Sequence, residues 1–119
     1  MKTHKDLKVW KESIDFVTEL YKKTNKFPKT EQYGLTSQIR RAAVSVPSNI
    51  AEGFARKGLK EKIRFMYIAL GSNSEVETQL IIANNLEYLY NEQFQYLEKQ
   101  NQLLGKRLIN LIRYFEEKV

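Results

Sequence analysis

The side chains best equipped for recognition chemistry lie between positions 37 and 58, in SQIRRAAVSVPSNIAEGFARKG. Projected at 100° per residue, Gln38, Arg41, Ser45, Ser48, Asn49, Glu52 and Arg56 fall within a sector of roughly 100°, centred about 120° from the apolar stripe of the same segment. Arginine makes bidentate contacts with phosphate or carboxylate, and Ser and Asn add short hydrogen bonds. A nucleic-acid backbone or a neighbouring subunit would use that set, and a solvated helix face, which is what most polar stripes are, is the third reading. Lys57, Lys60, Lys62 and Arg64 carry the positive charge around the following turn. With Arg40, Arg41 and Arg56 they form the candidate nucleic-acid-binding set. Gln38, Ser45, Ser48, Asn49 and Glu52, joined by Glu75 and Glu77, form a candidate polar face or subunit contact.

Catalytic constellations are scarce. The one histidine, His4, is next to the start of the chain, so the inward Glu-x-x-His pairs of a di-metal bundle cannot be built. Glu75 and Glu77 are two apart, and on a helix they point roughly 200° away from each other. For a carboxylate near the inward face, an arginine from another helix is the ordinary partner. Asp6 and Asp15 are the only aspartates, nine apart with lysines between. No phosphate-loop, nucleophile-elbow or dinucleotide fingerprint occurs. The expectation is a protein that is not an enzyme and uses no metal or cofactor.

Composition narrows the class further. A chain of 119 residues, 42% hydrophobic and 29% charged, with two prolines and five glycines, suits one ordered domain spanning 1–119. With no cysteine, disulfides and thiolate chemistry drop out. Neither a signal-like apolar stretch nor a membrane-length run is present, so a cytoplasmic location with no membrane contact is expected. The net charge of +6 is unevenly spread: residues 65–98 hold five acidic groups and no lysine or arginine, whereas the flanking segments are basic. Such polarity can attract a polyanion, or let basic and acidic faces of neighbouring copies meet.

Four amphipathic segments must position these groups. Leu7, Trp10, Ile14, Val17 and Tyr21 alternate in steps of three and four, predicting a first helix that stops near TNKFP. Thr30 is the expected cap of a second helix with inward residues Leu35, Ile39, Ala42, Val46, Ile50 and Gly53. Pro47 predicts a kink there without a break, because the stripe keeps phase across it. Gly58 is the expected terminator in a left-handed conformation, while Gly53 and Gly71 are expected to let backbones approach. A third helix is predicted from about residue 59 to 88, using Ile63, Met66, Tyr67, Leu70, Leu80, Ile81 and Leu86. Asn91 is the expected cap of a fourth, whose heptad-like run Phe94, Leu97, Asn101, Leu104, Leu108, Leu111 and Phe115 is broken by one asparagine able to fix register. Four such helices with short connections predict an all-α, antiparallel up-down-up-down four-helix bundle.

Three blocks carry a resemblance: DLKVWKES at 6–13, YGLTSQIRRAAVSVPSNIAEGFAR at 33–56 and IRFMYIALGSNSEVETQL at 63–80. Over nearly its full length the chain resembles the four-helix-bundle family of the 23S rRNA intervening-sequence protein type, which includes the accessory proteins of diversity-generating retroelements. The resemblance implies a homo-oligomer, a pentamer by family habit, and a basic surface for structured RNA or DNA. A protein partner such as a reverse transcriptase is implied as well. The expected function is therefore a non-enzymatic adaptor that binds nucleic acid, or alternatively a structural or protein-interaction module that does not.

Overall fold

The computed structural model describes residues 3–119, and of Asp6 the backbone alone. Two single-turn 3-10 segments, His4–Asp6 and Lys29–Glu31, precede the first and second of four long helices. These are α1 (Lys8–Thr24), α2 (Leu35–Ala55), α3 (Leu59–Asn85) and α4 (Asn91–Glu116), and no strand occurs among the described residues. Short connections force neighbours antiparallel, giving an up-down-up-down bundle of 45 × 24 × 20 Å. Packing is closest between α2 and α3 and between α3 and α4, while α1 meets α4 least.

The α2–α3 contact is tight because Gly53 has no side chain. A Cβ there would meet Met66 Cε at 2.5 Å and Phe65 Cβ at 2.9 Å, so any other residue would push the helices apart. α2 passes through Pro47 as one helix. Further along the seam, Asn49 Nδ2 donates to both the carbonyl and the hydroxyl oxygen of Ser45 at 2.8 Å, and Ser72 Oγ donates to Ser45 Oγ at 2.8 Å.

Between α3 and α4 the core contains a reciprocal amide pair. Asn73 Nδ2 donates to the carbonyl and side-chain oxygens of Asn101, both at 2.9 Å, and Asn101 Nδ2 donates to the Asn73 carbonyl at 3.0 Å. Both residues are buried, and Gly105 makes room for them, since a Cβ there would lie 2.7 Å from Asn73 Oδ1. Asn101 is thus the register element that its place in the heptad run predicts. Any axial slip of one helix would leave amide groups without partners inside the core.

Several local expectations are corrected. The buried stripe of α1 is Val9, Ser13, Phe16, Leu20 and Thr24, while Ile14 and Tyr21 are exposed. Ser13 and Thr24 can point inward because their hydroxyls donate to the Trp10 and Leu20 carbonyls, at 2.7 and 2.8 Å. Thr30 does not cap α2. The helix begins at Leu35, whose N–H donates to Glu31 Oε1 at 3.1 Å. The cap of α4 is Tyr90 rather than Asn91, with its N–H held by Gln93 Oε1 at 3.1 Å.

Gly58 has φ −85 and precedes α3 without using left-handed space, and Gly71 has nothing near it. α3 stops at Asn85, where Glu87 turns to φ 62 and the Tyr88 and Glu87 N–H groups close on the Ala83 and Asn84 carbonyls. Tyr67, Ile81 and Leu86, expected inside, are exposed.

Two consequences are measurable. Asn73→Leu leaves the Asn101 side-chain oxygen without its donor, while the Asn101 amide N–H keeps the backbone carbonyl of residue 73; it is expected to cost about 1–3 kcal/mol, whereas Asn73→Leu with Asn101→Leu recovers most of it. Urea denaturation of the three proteins reads the difference. The second concerns Glu31, whose carboxyl is held below its ordinary value by the Leu35 N–H and then by the Tyr88 hydroxyl at 2.8 Å. The same contact pushes the Tyr88 phenol up. A carboxyl depressed by folding stabilises the fold above its unfolded value, and that contribution is lost as pH falls through the folded value. The stability gap between wild type and Glu31→Gln is expected to be widest near neutrality and to close as pH falls through the lowered carboxyl value.

Candidate nucleic-acid interface

The bundle brings the start of α1, the end of α2, the start of α3 and the end of α4 to one pole. Contacts far apart in sequence fix this: the Phe54 and Phe115 rings meet at 5.7 Å, and Tyr67 Oη donates to Glu116 Oε2 at 3.2 Å. His4 lies edge-on to Trp10 at 5.0 Å, and its 3-10 turn touches α2. Lys5, Lys8, Arg56, Lys57, Lys60, Lys62, Arg64, Arg113 and Lys118 converge here, against Glu52, Glu61, Glu116 and Glu117 in the same stretches of chain. Nine basic groups against four acidic ones, among the described side chains, give this pole a positive balance.

The sequence-predicted basic set therefore splits. Arg56, Lys57, Lys60, Lys62 and Arg64 are together at the pole, and Arg40 and Arg41 lie about 23 Å along α2, at 1.5 Å per residue. Arg40 holds α2 to the end of α1, donating to Thr24 Oγ1 at 2.9 Å and to the Tyr21 carbonyl and Asn25 Oδ1, both at 3.1 Å. Its guanidinium also covers the Tyr21 ring at 4.4 Å. Arg41 is exposed and has no polar partner among the described residues.

Within the pole the cations differ in what they do. The Lys62 ammonium donates to the Phe54 carbonyl at 3.0 Å and to that of Arg56, so it closes the negative end of α2. Arg56 and Arg64 both lie against the Phe65 ring, at 5.0 and 4.8 Å from its centre. Their other partners are carboxylates, Arg56 with Glu52 at 3.3 Å and Arg64 with Glu61 at 2.8 Å. The Arg64 hydrogen bond and charge hold the Glu61 carboxyl below its ordinary value. Lys57 and Lys60 are exposed and, among the described residues, unpaired. They are the cations freest to meet a phosphate.

The predicted polar face divides between two seams. Ser45 meets Ser72 of α3, Asn49 donates back to Ser45 within α2, and Ser48 lines an apolar groove between α1 and α2 with Trp10, Ile14 and Val44. Gln38 is exposed. Glu75 and Glu77 diverge as their spacing requires, and each takes an amide rather than an arginine: Glu75 accepts from Gln79 Nε2 at 3.2 Å, Glu77 from Gln102 Nε2 at 3.3 Å. A second concavity of about 250 Å³ between α1 and α4 holds Glu12, Asp15 and Glu19. Arg107 Nε lies 2.8 Å from Glu12 Oε1, close but off the hydrogen-bond direction, and Lys23 pairs with Glu19 at 2.9 Å. Among the described residues, no three His, Cys, Asp or Glu side chains converge to hold a metal ion, and no helix is long and apolar enough to cross a membrane.

Sequence reasoning missed Phe65 and the α1/α2 groove. The signal for the groove was present, because Ile14 and Val44 lie off the stripes that the observed core needs.

Lys62→Met is expected to cost about 1 kcal/mol through loss of the charge at the α2 terminus. Lys57→Glu and Lys60→Glu are expected to leave stability within about 0.5 kcal/mol, as exposed unpaired positions do. Denaturant midpoints of the three variants check this.

Comparison with known proteins agrees with the geometry. The family model described as 23S rRNA-intervening sequence protein matches residues 5–110. A crystal structure of a protein of unknown function from the S23 ribosomal protein family of Bacteroides thetaiotaomicron is similar, with TM-score 0.79 and 25% identity. The match covers 87% of this chain and 97% of that one. No curated protein sequence matches significantly.

Proposed function

The chain belongs to the 23S rRNA-intervening sequence protein family, and from that premise we propose a non-enzymatic, homo-oligomeric adaptor that binds structured RNA or other nucleic acid through its basic pole. The supporting observation is the convergence of cations from four separate stretches of chain at one end of the bundle, with Lys57 and Lys60 unpaired at its rim. Flexible unpaired lysines suit a phosphate backbone, where contact is electrostatic and tolerant of sequence. Arg56 and Arg64, braced on Phe65, present guanidinium planes that can exchange an exposed carboxylate for a phosphate at little cost. Glu75 and Glu77, the carboxylate pair the sequence offers, each accept from an amide. Oligomerisation, five-fold by family resemblance, would multiply one weak pole into a high-avidity surface.

A second reading, a protein-interaction module without nucleic-acid binding, is favoured by one observation: apolar side chains stay exposed along α3 and around the α1/α2 groove.

Nuclease-treated protein is expected to retain a labelled structured RNA hairpin at about 50 mM salt and release it steeply toward about 200 mM. Lys57→Glu with Lys60→Glu should weaken retention across RNA sequences and flatten the log–log salt slope by roughly 2. Absence of salt-sensitive retention, or a double variant that binds like wild type, would overturn the nucleic-acid reading and leave the interaction module.

A further inference from the structure

Away from the basic pole, where α1 ends and α2 begins, the surface holds a hollow of about 380 Å³. Its volume lies in the range of small-molecule sites, roughly 300–1,000 Å³. No aspartate or glutamate lines it, whereas Arg40 and Arg41 both do. Arg40 is tied to Thr24, Tyr21 and Asn25 and covers the Tyr21 ring, so it supplies charge more than reach. Arg41, exposed and unpaired among the described residues, keeps its donors for a ligand. Thr36 and Ser37 line the same hollow from the first turn of α2, where backbone N–H groups lack intrahelical acceptors. Thr36 is only 8% exposed, and its Oγ1 is buried without a hydrogen-bond partner. A buried hydroxyl in that state costs stability until something completes it. Tyr33, also on the lining, is 91% exposed.

These features complement one chemistry. A phosphate group takes the paired donors of a guanidinium, the short hydrogen bonds of hydroxyls and the positive end of a helix. An uncovered aromatic ring beside it suits a planar base. We propose that the hollow binds a nucleoside 5′-monophosphate, its phosphate held by Arg41, Ser37 and the first turn of α2, and its base stacked on Tyr33. Arg40 adds its charge from the wall, and a phosphate oxygen supplies the partner that the Thr36 hydroxyl lacks. Glu31, the carboxylate at this helix end, is engaged elsewhere, with the Leu35 N–H and the Tyr88 hydroxyl. The site is separate from the basic pole, about 23 Å along α2, and holds whether or not a polynucleotide binds there.

Amide NMR shifts followed during titration with adenosine 5′-monophosphate, ribose 5-phosphate and adenosine separate the two halves of the ligand. The monophosphate is expected to move the Thr36 and Ser37 amides and to saturate with a Kd below about 1 mM, each fragment binding at least about tenfold more weakly. Arg41→Gln is expected to weaken the monophosphate about tenfold, as loss of a charged hydrogen bond does, and to leave adenosine unchanged. Tyr33→Ala should weaken it roughly fivefold or more and leave ribose 5-phosphate unchanged. Both side chains are exposed, and the amide spectrum of each variant checks that the fold is kept. Lys57→Glu with Lys60→Glu is expected to bind the monophosphate like wild type. No saturable shift at Thr36 and Ser37, an Arg41 or Tyr33 variant that binds like wild type, or loss of binding in the Lys57 and Lys60 double variant would overturn the site.

Discussion

The bundle depends on an amide lock between α3 and α4. Asn73 and Asn101 each donate into the opposite helix from inside an apolar core, and Gly105 exists in that position to let them do so. Apolar packing alone tolerates small slips between helices, because leucine contacts are similar one notch along. A buried amide pair does not, since every displaced register strands polar groups in a medium that cannot solvate them. With α3 and α4 fixed along their axes, the Gly53 contact fixes α2 on α3, and Arg40 fixes α1 on α2. The axial position of every helix end follows, and with it the pole where cations converge.

Specific polar ties are therefore spent inside the molecule, and apolar side chains stay exposed around the α1/α2 groove and at Ile68, Ile81 and Ile82 of α3. α3 exposes these isoleucines together with Lys60, Glu61, Arg64 and Glu75. The helix packs against α2 and α4 and leaves its outer side uncovered, with Glu61, Ile68, Glu75 and Ile82 spaced seven apart along it.

Fold class, helix number and antiparallel order were legible because the 3.6-residue period is strong and the connections are short. The inward asparagine of α4 was legible for the same reason, as a polar break in an otherwise apolar run. The rotation of α1 was not. Ser13 and Thr24 read as surface residues until their hydroxyls are seen closing on backbone carbonyls, and Ile14 reads as core until the groove beside it is seen. Helix starts were misplaced where the cap is made from a distance, as Glu31 does for Leu35. Among candidate site residues, the basic turn was legible as a charge run, but its division of labour was not: nothing in the spacing separates Lys62, which closes a helix, from Lys57 and Lys60, which face water.

Trp10 is the only tryptophan in the chain, and it lies on the wall of the α1/α2 groove with the His4 ring 5.0 Å away. The molecule therefore carries a single indole reporter on the wall of that groove. Near-ultraviolet emission from the unlabelled protein comes chiefly from that one indole, whose colour follows the wetness of the groove.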